Sequence, residues 1–213
     1  MTIPQRQAAL RRQLEAEGIY DQRVLETIQQ TRRDLFVPQK IREQAYDNIA
    51  LPIGCGQTIS QPYIVALMTQ ELKLTGSETV LEIGTGSGYQ SAVLSQLCRQ
   101  VVTIERIDEL LQPARLILAE LGLTNIDFRV GDGTLGCADR TPYDGIIVTA
   151  AAPDVPAPLF NQLKMEGRLV IPVGDEFMQT LMVALKREPE PLVQNVCGCR
   201  FVKLIGEAGW PEG

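Results

Sequence analysis

The chain has 213 residues, 45% of them hydrophobic and 22% charged, with a formal net charge of -6. That balance belongs to a globular protein large enough to bury a core, and it counts against a partner gripped through phosphates, which calls for a basic face. Five cysteines and no histidine exclude Ser-His-Asp and Cys-His nucleophilic machinery and suit a reducing, cytoplasmic compartment.

Taken from the start, the spacing of Ala8, Ala9, Leu10 and Leu14 predicts an amphipathic helix over 4–18. Its charged sequence lacks the apolar region of a secretory signal. Val24, Leu25 and Ile28 predict a second helix over 23–30. A polar, irregular stretch then runs to about Ser60, with DLFVP at 34–38 and LPIGCGQTIS at 51–60. Gly54 and Gly56 predict a loop there rather than a regular element, and the pair Arg32 and Arg33 is expected on a solvated face, the alternative being that it helps attract a carboxylate-bearing peptide. Pro62 sits where a helix starts without losing a hydrogen bond. Ile64, Val65, Leu67, Met68 and Leu72 give that helix its buried stripe.

From residue 79 the pattern alternates. Strand 79–83 leads to helix 89–97, strand 101–105 to helix 108–121, and strand 126–130 to strand 144–149. Helix 156–163, strand 168–173 and two strand patterns near 179–186 and 193–204 complete the chain. The last two are joined by REPEPL, which leaves no room for a helix, so an antiparallel pair is expected. No apolar run approaches the ~20 residues that cross a bilayer, and no membrane partner is expected. The alternation predicts an α/β fold: a Rossmann-like doubly wound sheet, mostly parallel with an antiparallel C-terminal strand, plus N-terminal helices. A single domain is expected, with 1–60 as an N-terminal helical and loop extension and 61–213 as core.

The chemistry concentrates in VLEIGTGSGYQ at 80–90. An apolar strand runs into a glycine-rich turn, and a helix pattern follows. A second apolar run, VVTIE, ends on Glu105. Strand, glycine turn, helix, strand and acidic end describe a nucleoside site at the edge of a parallel sheet. A dinucleotide fingerprint would put its third glycine at 89, where this chain has Tyr89. The G-x-G-x-G spacing fits instead the nucleoside-dependent methyltransferases. Glu105 suits the two ribose hydroxyls. In the GDG that closes the third strand, Asp132 suits the adenine amino group, and Gly133 leaves room for the ring. The expected cofactor set is Glu82, Gly84, Thr85, Gly86, Ser87, Gly88, Glu105, Asp132 and Gly133. The small residues of PYDGIIVTAAAP at 142–153 suit a cavity wall.

With these residues laid out, the chain resembles the protein-L-isoaspartate O-methyltransferase family over nearly its full length. The resemblance rests on GCGQTIS at 54–60, YDGIIVTAAAPDVP at 143–156, EGRLVIPVG at 166–174 and RFVKLIG at 200–206. Cys55 and Lys203 depart from the family pattern, which has an aromatic or polar residue at the first position and proline at the second. The resemblance implies methyl transfer from S-adenosyl-L-methionine to the free α-carboxylate of L-isoaspartyl residues in damaged proteins and peptides. S-adenosyl-L-homocysteine is the implied product. It further implies a monomer, no metal and no nucleic-acid partner, and places 197–206 beside the substrate cleft.

That reaction suits a chain without histidine. A carboxylate titrates near ~3–4 and is already ionised at neutral pH, so no general base is needed. What remains is positioning, which lowers a barrier by about 7–11 kcal/mol when well arranged. Ser60 is the expected contact for the carboxylate, orienting it rather than attacking, and Gln57, Thr58 and Ile59 shape the site around it. The alternative role for Ser60 is a helix N-cap.

Other features are read as packing. Cys197 and Cys199 face one side of a strand without the further ligands a metal needs. Cys98 is read as core within a helix, and Trp210 as a packing anchor. Two other functions remain compatible with the fold. One is a methyltransferase for RNA or a small molecule, and the other is a module that binds the nucleoside without turnover.

Overall fold

Two helices, α1 (Ile3–Ala16) and α2 (Gln22–Gln30), open the computed structural model, which describes residues 1–212. Asp21 starts α2 by accepting hydrogen bonds from the Arg23 and Val24 amides, donors that a helix start leaves free. Two 3-10 turns, Arg33–Phe36 and Gln39–Gln44, carry the chain to a hairpin of β1 (Leu51–Gly54) and β2 (Gln57–Ile59). Then come α3 (Pro62–Glu71), β3 (Thr79–Ile83), α4 (Tyr89–Ser95), β4 (Gln100–Glu105), α5 (Asp108–Glu120) and β5 (Ile126–Val130). The chain closes with β6 (Tyr143–Val148), α6 (Ala157–Asn161), β7 (Leu163–Gly174), β8 (Gln179–Leu185) and β9 (Leu192–Cys199).

Seven strands form one sheet in the order β5-β4-β3-β6-β7-β8-β9. The first five are parallel, and β8 and β9 add antiparallel. The chain runs outward from β3 through β4 and β5, then returns to β6 on the other side of β3. That reversal opens a crevice at the carboxyl ends of β3, β4 and β6, where doubly wound sheets bind ligands.

The strands read as apolar runs because both faces are covered. Val80, Ile147 and Val170 point into one cluster with Leu14, Leu25 and Met68 of the N-terminal helices. Their neighbours Leu81, Ile83, Ile146, Val148, Leu169 and Ile171 point into the other, against Leu159 of α6. This is the two-residue alternation of a strand. No described helix is long and apolar enough to cross a membrane.

Several expectations change. Residues 51–60 are a hairpin, not a loop. Cys55 (φ 49°) and Gly56 (φ 69°) form its tip, and two positive φ angles are what a tight two-residue hairpin turn requires. The glycines there serve a turn between two short strands. Helix 156–163 shortens to Ala157–Asn161, because β7 begins already at Leu163. Strand 193–204 stops at Cys199. Beyond it the chain leaves the sheet and lays Lys203 beside Ala151 at the carboxyl end of β6. Cys98 is buried but follows α4 in a turn.

Arg33 is not on a solvated face. It is 0% exposed, while its neighbour Arg32 holds Asp34 through two hydrogen bonds nearer the surface. The 3-10 turn starting at Arg33 sends the two adjacent side chains in opposite directions.

Candidate active site

An open cleft sits in the crevice above β3, β4 and β6. The space among its lining residues, open solvent included, is about 960 Å³. One wall is the glycine loop between β3 and α4, contributing Gly84, Thr85, Gly86 and Ser87. Another wall is β2 and the residue after it, contributing Gln57, Thr58, Ile59 and Ser60.

The glycine loop is built by close approach. Gly84 (φ +94°) lies where a Cβ would meet the Thr149 hydroxyl at 2.4 Å. That hydroxyl donates to the Gly84 carbonyl at 2.7 Å, tying the loop to the end of β6. The Thr85 and Thr103 hydroxyls pair at 2.7 Å, binding the loop to β4. Gly88 (φ +87°) caps α4, and a Cβ there would sit 3.0 Å from Leu118 and 3.1 Å from Ala114. Its role is to let α5 pack close, and it does not line the cleft.

Glu105 ends β4 inside the cleft, 6% exposed. One carboxylate oxygen accepts from the Gly86 amide and the other from the Ile107 amide, each at 2.9 Å. Each oxygen keeps capacity for one more donor. A vicinal diol supplies two, so the pinned carboxylate fits a ribose. Gly133 also lines the cleft, against Ile83.

Two further members of the expected cofactor set lie elsewhere. Glu82 is wholly buried beneath the loop, where Ser91 donates to one oxygen and the other has no partner. Burial, partly offset by hydrogen bonding, pushes its carboxyl up to about 8. Asp132 faces a neighbouring hollow with Arg106, Gly206 and Glu207. One of its oxygens takes the Thr134 amide and hydroxyl, and the other takes the Glu207 amide. Burial raises its pKa, but these bonds outweigh burial and hold it below the usual range. Asp132 therefore straps the C-terminal segment down beside the cleft.

On the other wall, Ser60 is not the helix cap. The N-cap of α3 is Gln61, without a side-chain cap bond. The first free amide of α3, that of Tyr63, is taken by Asn48 at 2.9 Å. Ser60 thus lines the cleft two residues before the helix begins.

Residues unread in the sequence also line the cleft: Tyr89 and Gln90 from α4, and Arg106 and Ile107 after β4. The last two follow a strand end at the switch point, a position that could have singled them out. Thr149 and Ala150 after β6 belong to the stretch expected to form a cavity wall. Val202, Lys203, Leu204 and Ile205 close the mouth. Lys203 pairs with Glu176 at 2.6 Å and lies 5.3 Å from the centre of the Trp210 ring. Trp210 in turn donates to the Ala151 carbonyl at 3.0 Å. No cluster of three or more His, Cys, Asp or Glu suited to a metal occurs among the described residues.

Comparison with known proteins identifies a family and its fold. Residues 5–209 match the family described as Protein-L-isoaspartate(D-aspartate) O-methyltransferase (PCMT). The chain is 52% identical over 199 residues to the protein-L-isoaspartate O-methyltransferase of Geobacter metallireducens, covering 93% of this chain and 92% of that protein. It is 53% identical over 202 residues to that of Syntrophus aciditrophicus, with the same coverage. A solved structure of a protein-L-isoaspartate O-methyltransferase superposes with a TM-score of 0.85 at 29% identity, over 95% of this chain and 67% of that one. A Plasmodium falciparum structure in complex with S-adenosyl-L-homocysteine shares the fold, with a TM-score of 0.80 at 22% identity over 92% of this chain and 97% of that one.

Proposed function

We propose that this chain, which belongs to the protein-L-isoaspartate(D-aspartate) O-methyltransferase family, methylates the free α-carboxylate of L-isoaspartyl residues in damaged proteins and peptides, with S-adenosylmethionine as donor. The observation that carries the reading to particular residues is one cleft with a pinned carboxylate on one wall and Ser60 on the other.

Glu105 would hold the ribose hydroxyls, and Gly84, Thr85, Gly86 and Ser87 would hold the rest of the nucleoside and its amino-acid tail. Gly133 offers a flat surface beside Ile83 for the base. Glu82, Gly88 and Asp132 act behind this set, fixing the loop, the helix approach and the C-terminal strap. S-adenosylmethionine, when bound, supplies a methyl group already activated on a sulfonium. The acceptor oxygen is already an anion and the departing thioether is neutral, so no residue has to move a proton. That accounts for an active site without histidine.

The protein's task is alignment. Ser60 orients the carboxylate from the β2 side, with Gln57, Thr58 and Ile59 around it. The segment 202–205 flanks the mouth, where an extended peptide can lie along backbone groups. Acceptance of many flanking sequences follows if main chain rather than side chains carries that contact.

Within this reading the chain acts as a monomer in the cytoplasm, a setting supported by its five free cysteines. Its net charge of -6 argues against RNA as acceptor. Residues 1–60 serve as the acceptor-side part of one domain, supported by the cluster that Leu14 and Leu25 share with Val80 and Val101. The test is mass spectrometry of an isoaspartyl peptide after incubation with enzyme and donor. The reading expects one added methyl group that mild base removes. A base-stable methyl group, or methylation of RNA in place of peptide, would overturn it.

A further inference from the structure

Arg33 is the largest of the fully buried side chains, and nothing in the reaction so far uses it. It enters none of the ion pairs among the described residues. Asp47 is the carboxylate whose charge bears on it, without forming an ion pair, and Asp34 is taken by Arg32 and by the Tyr46 hydroxyl. Taking a cation out of water without a counter-ion is costly. A fold needing only volume at this place would be served by leucine or methionine.

The two terminal nitrogens of the guanidinium donate to three carbonyls, while its buried Nε has no partner. One terminal nitrogen donates to Ala45, and the other donates to Ile49 and to Ser60, each at 3.1 Å. Its central carbon lies 5.6 Å from the centre of the Tyr89 ring. These contacts have a pattern. Ala45 ends the 3-10 turn before the hairpin, Ile49 precedes β1, and Ser60 follows β2. Both ends of the β1–β2 hairpin are thus held by one planar group. That group also meets Tyr89, the first residue of α4 after the glycine loop and a member of the cleft lining.

We propose that Arg33 is a positioning residue for the acceptor carboxylate: by gripping the Ser60 carbonyl from beneath, it fixes where the Ser60 hydroxyl stands in the cleft. Its contact with Tyr89 keeps that wall in register with the cofactor wall. The inference rests on the reading that Ser60 meets the acceptor carboxylate. Lysine cannot replace arginine here, because a point charge on a flexible stem lacks the planar fork that spans separate acceptors. A misplacement of about 1 Å in a positioned group costs up to ~100-fold in rate.

The experiment is a double-mutant cycle between Arg33→Lys and Ser60→Ala, read as kcat and KM for an isoaspartyl peptide. Affinity for S-adenosylhomocysteine and thermal unfolding are measured on each protein. Arg33→Lys is expected to lower kcat by about tenfold or more in the wild-type background and by less than about twofold when Ser60 is already alanine. Cofactor affinity stays within about threefold, since the bonds of Glu105 do not involve Arg33. Arg33→Gln, which also removes the charge, is run in parallel against variation in folding.

An equal loss of kcat in both backgrounds would overturn the proposal while leaving the role of Ser60 intact. Full activity of Ser60→Ala alone would overturn the underlying reading instead. Failure of both Arg33 variants to fold and bind S-adenosylhomocysteine would assign Arg33 a purely structural role and overturn the proposal too.

Discussion

Replacing Glu105 by glutamine keeps the shape of the side chain and removes one acceptor. In the folded protein both oxygens already take a backbone amide, from Gly86 and from Ile107 at 2.9 Å. The new NH2 must face one of these donors, and leaving a buried N–H unpaired costs about 1–3 kcal/mol. With melting shifts of about 2–4 °C per kcal/mol for a chain of this size, Tm should fall by several degrees. The ribose loses a charged acceptor for one or both hydroxyls. Bonds to charged groups contribute ~1.5–3 kcal/mol each, so a loss of about 2–4 kcal/mol in binding is expected. That corresponds to a Kd for S-adenosylhomocysteine raised roughly 30- to 1,000-fold. Calorimetric titration well below the melting temperature separates the two effects. An analogue lacking both ribose hydroxyls should bind the variant and the wild type equally. A folded variant whose Kd moves less than threefold would refute the ribose assignment.

Three further outcomes follow from the same geometry. Ser60→Ala should cut kcat for an isoaspartyl peptide by about 10- to 100-fold, the range of a charge-assisted hydrogen bond. Its Tm should move by less than about 2 °C, because Gln61 and not Ser60 caps α3; a large stability loss with kcat intact would reverse the assignment. Glu82 is protonated in the folded protein up to about pH 8 but has an ordinary carboxyl value of 4.5 when unfolded. The folded state holds the extra proton between those values, so stability falls as pH rises through that window. Glu82→Gln should flatten the melting profile from pH 5 to 8, and parallel profiles would contradict the buried neutral carboxyl. Gly88→Ala forces a left-handed alanine against Leu118 and Ala114 and should cost about 2–4 kcal/mol of stability by denaturant unfolding. An unchanged midpoint would contradict the close approach of α5.

The sheet and its site were legible where local pattern and tertiary demand coincide. The apolar runs around Val80, Val101 and Ile146 are buried on both faces, so hydrophobicity alone marked them. Gly84 and Glu105 could be placed together because they follow or end neighbouring strands, and the structure brings them into one cleft. Residues 51–60 were misread because a glycine pair serves a loop and a tight turn equally well, and strands of four and three residues give little alternation. Asp132, expected at the adenine, lies in the neighbouring hollow, and its bond to the Glu207 amide could not be foreseen because the two are far apart in sequence. Arg33 left no signal. Beside Arg32 in a polar stretch it has the look of a surface charge, and only the fold shows three carbonyls converging on it.

The most direct test of the central claim pairs two peptides that differ only in carrying an isoaspartyl or a normal aspartyl residue, each given to the enzyme with labelled S-adenosylmethionine. Base-labile label on the isoaspartyl peptide alone is the predicted result. Equal labelling of both peptides, or none on either while S-adenosylhomocysteine still binds, would contradict it.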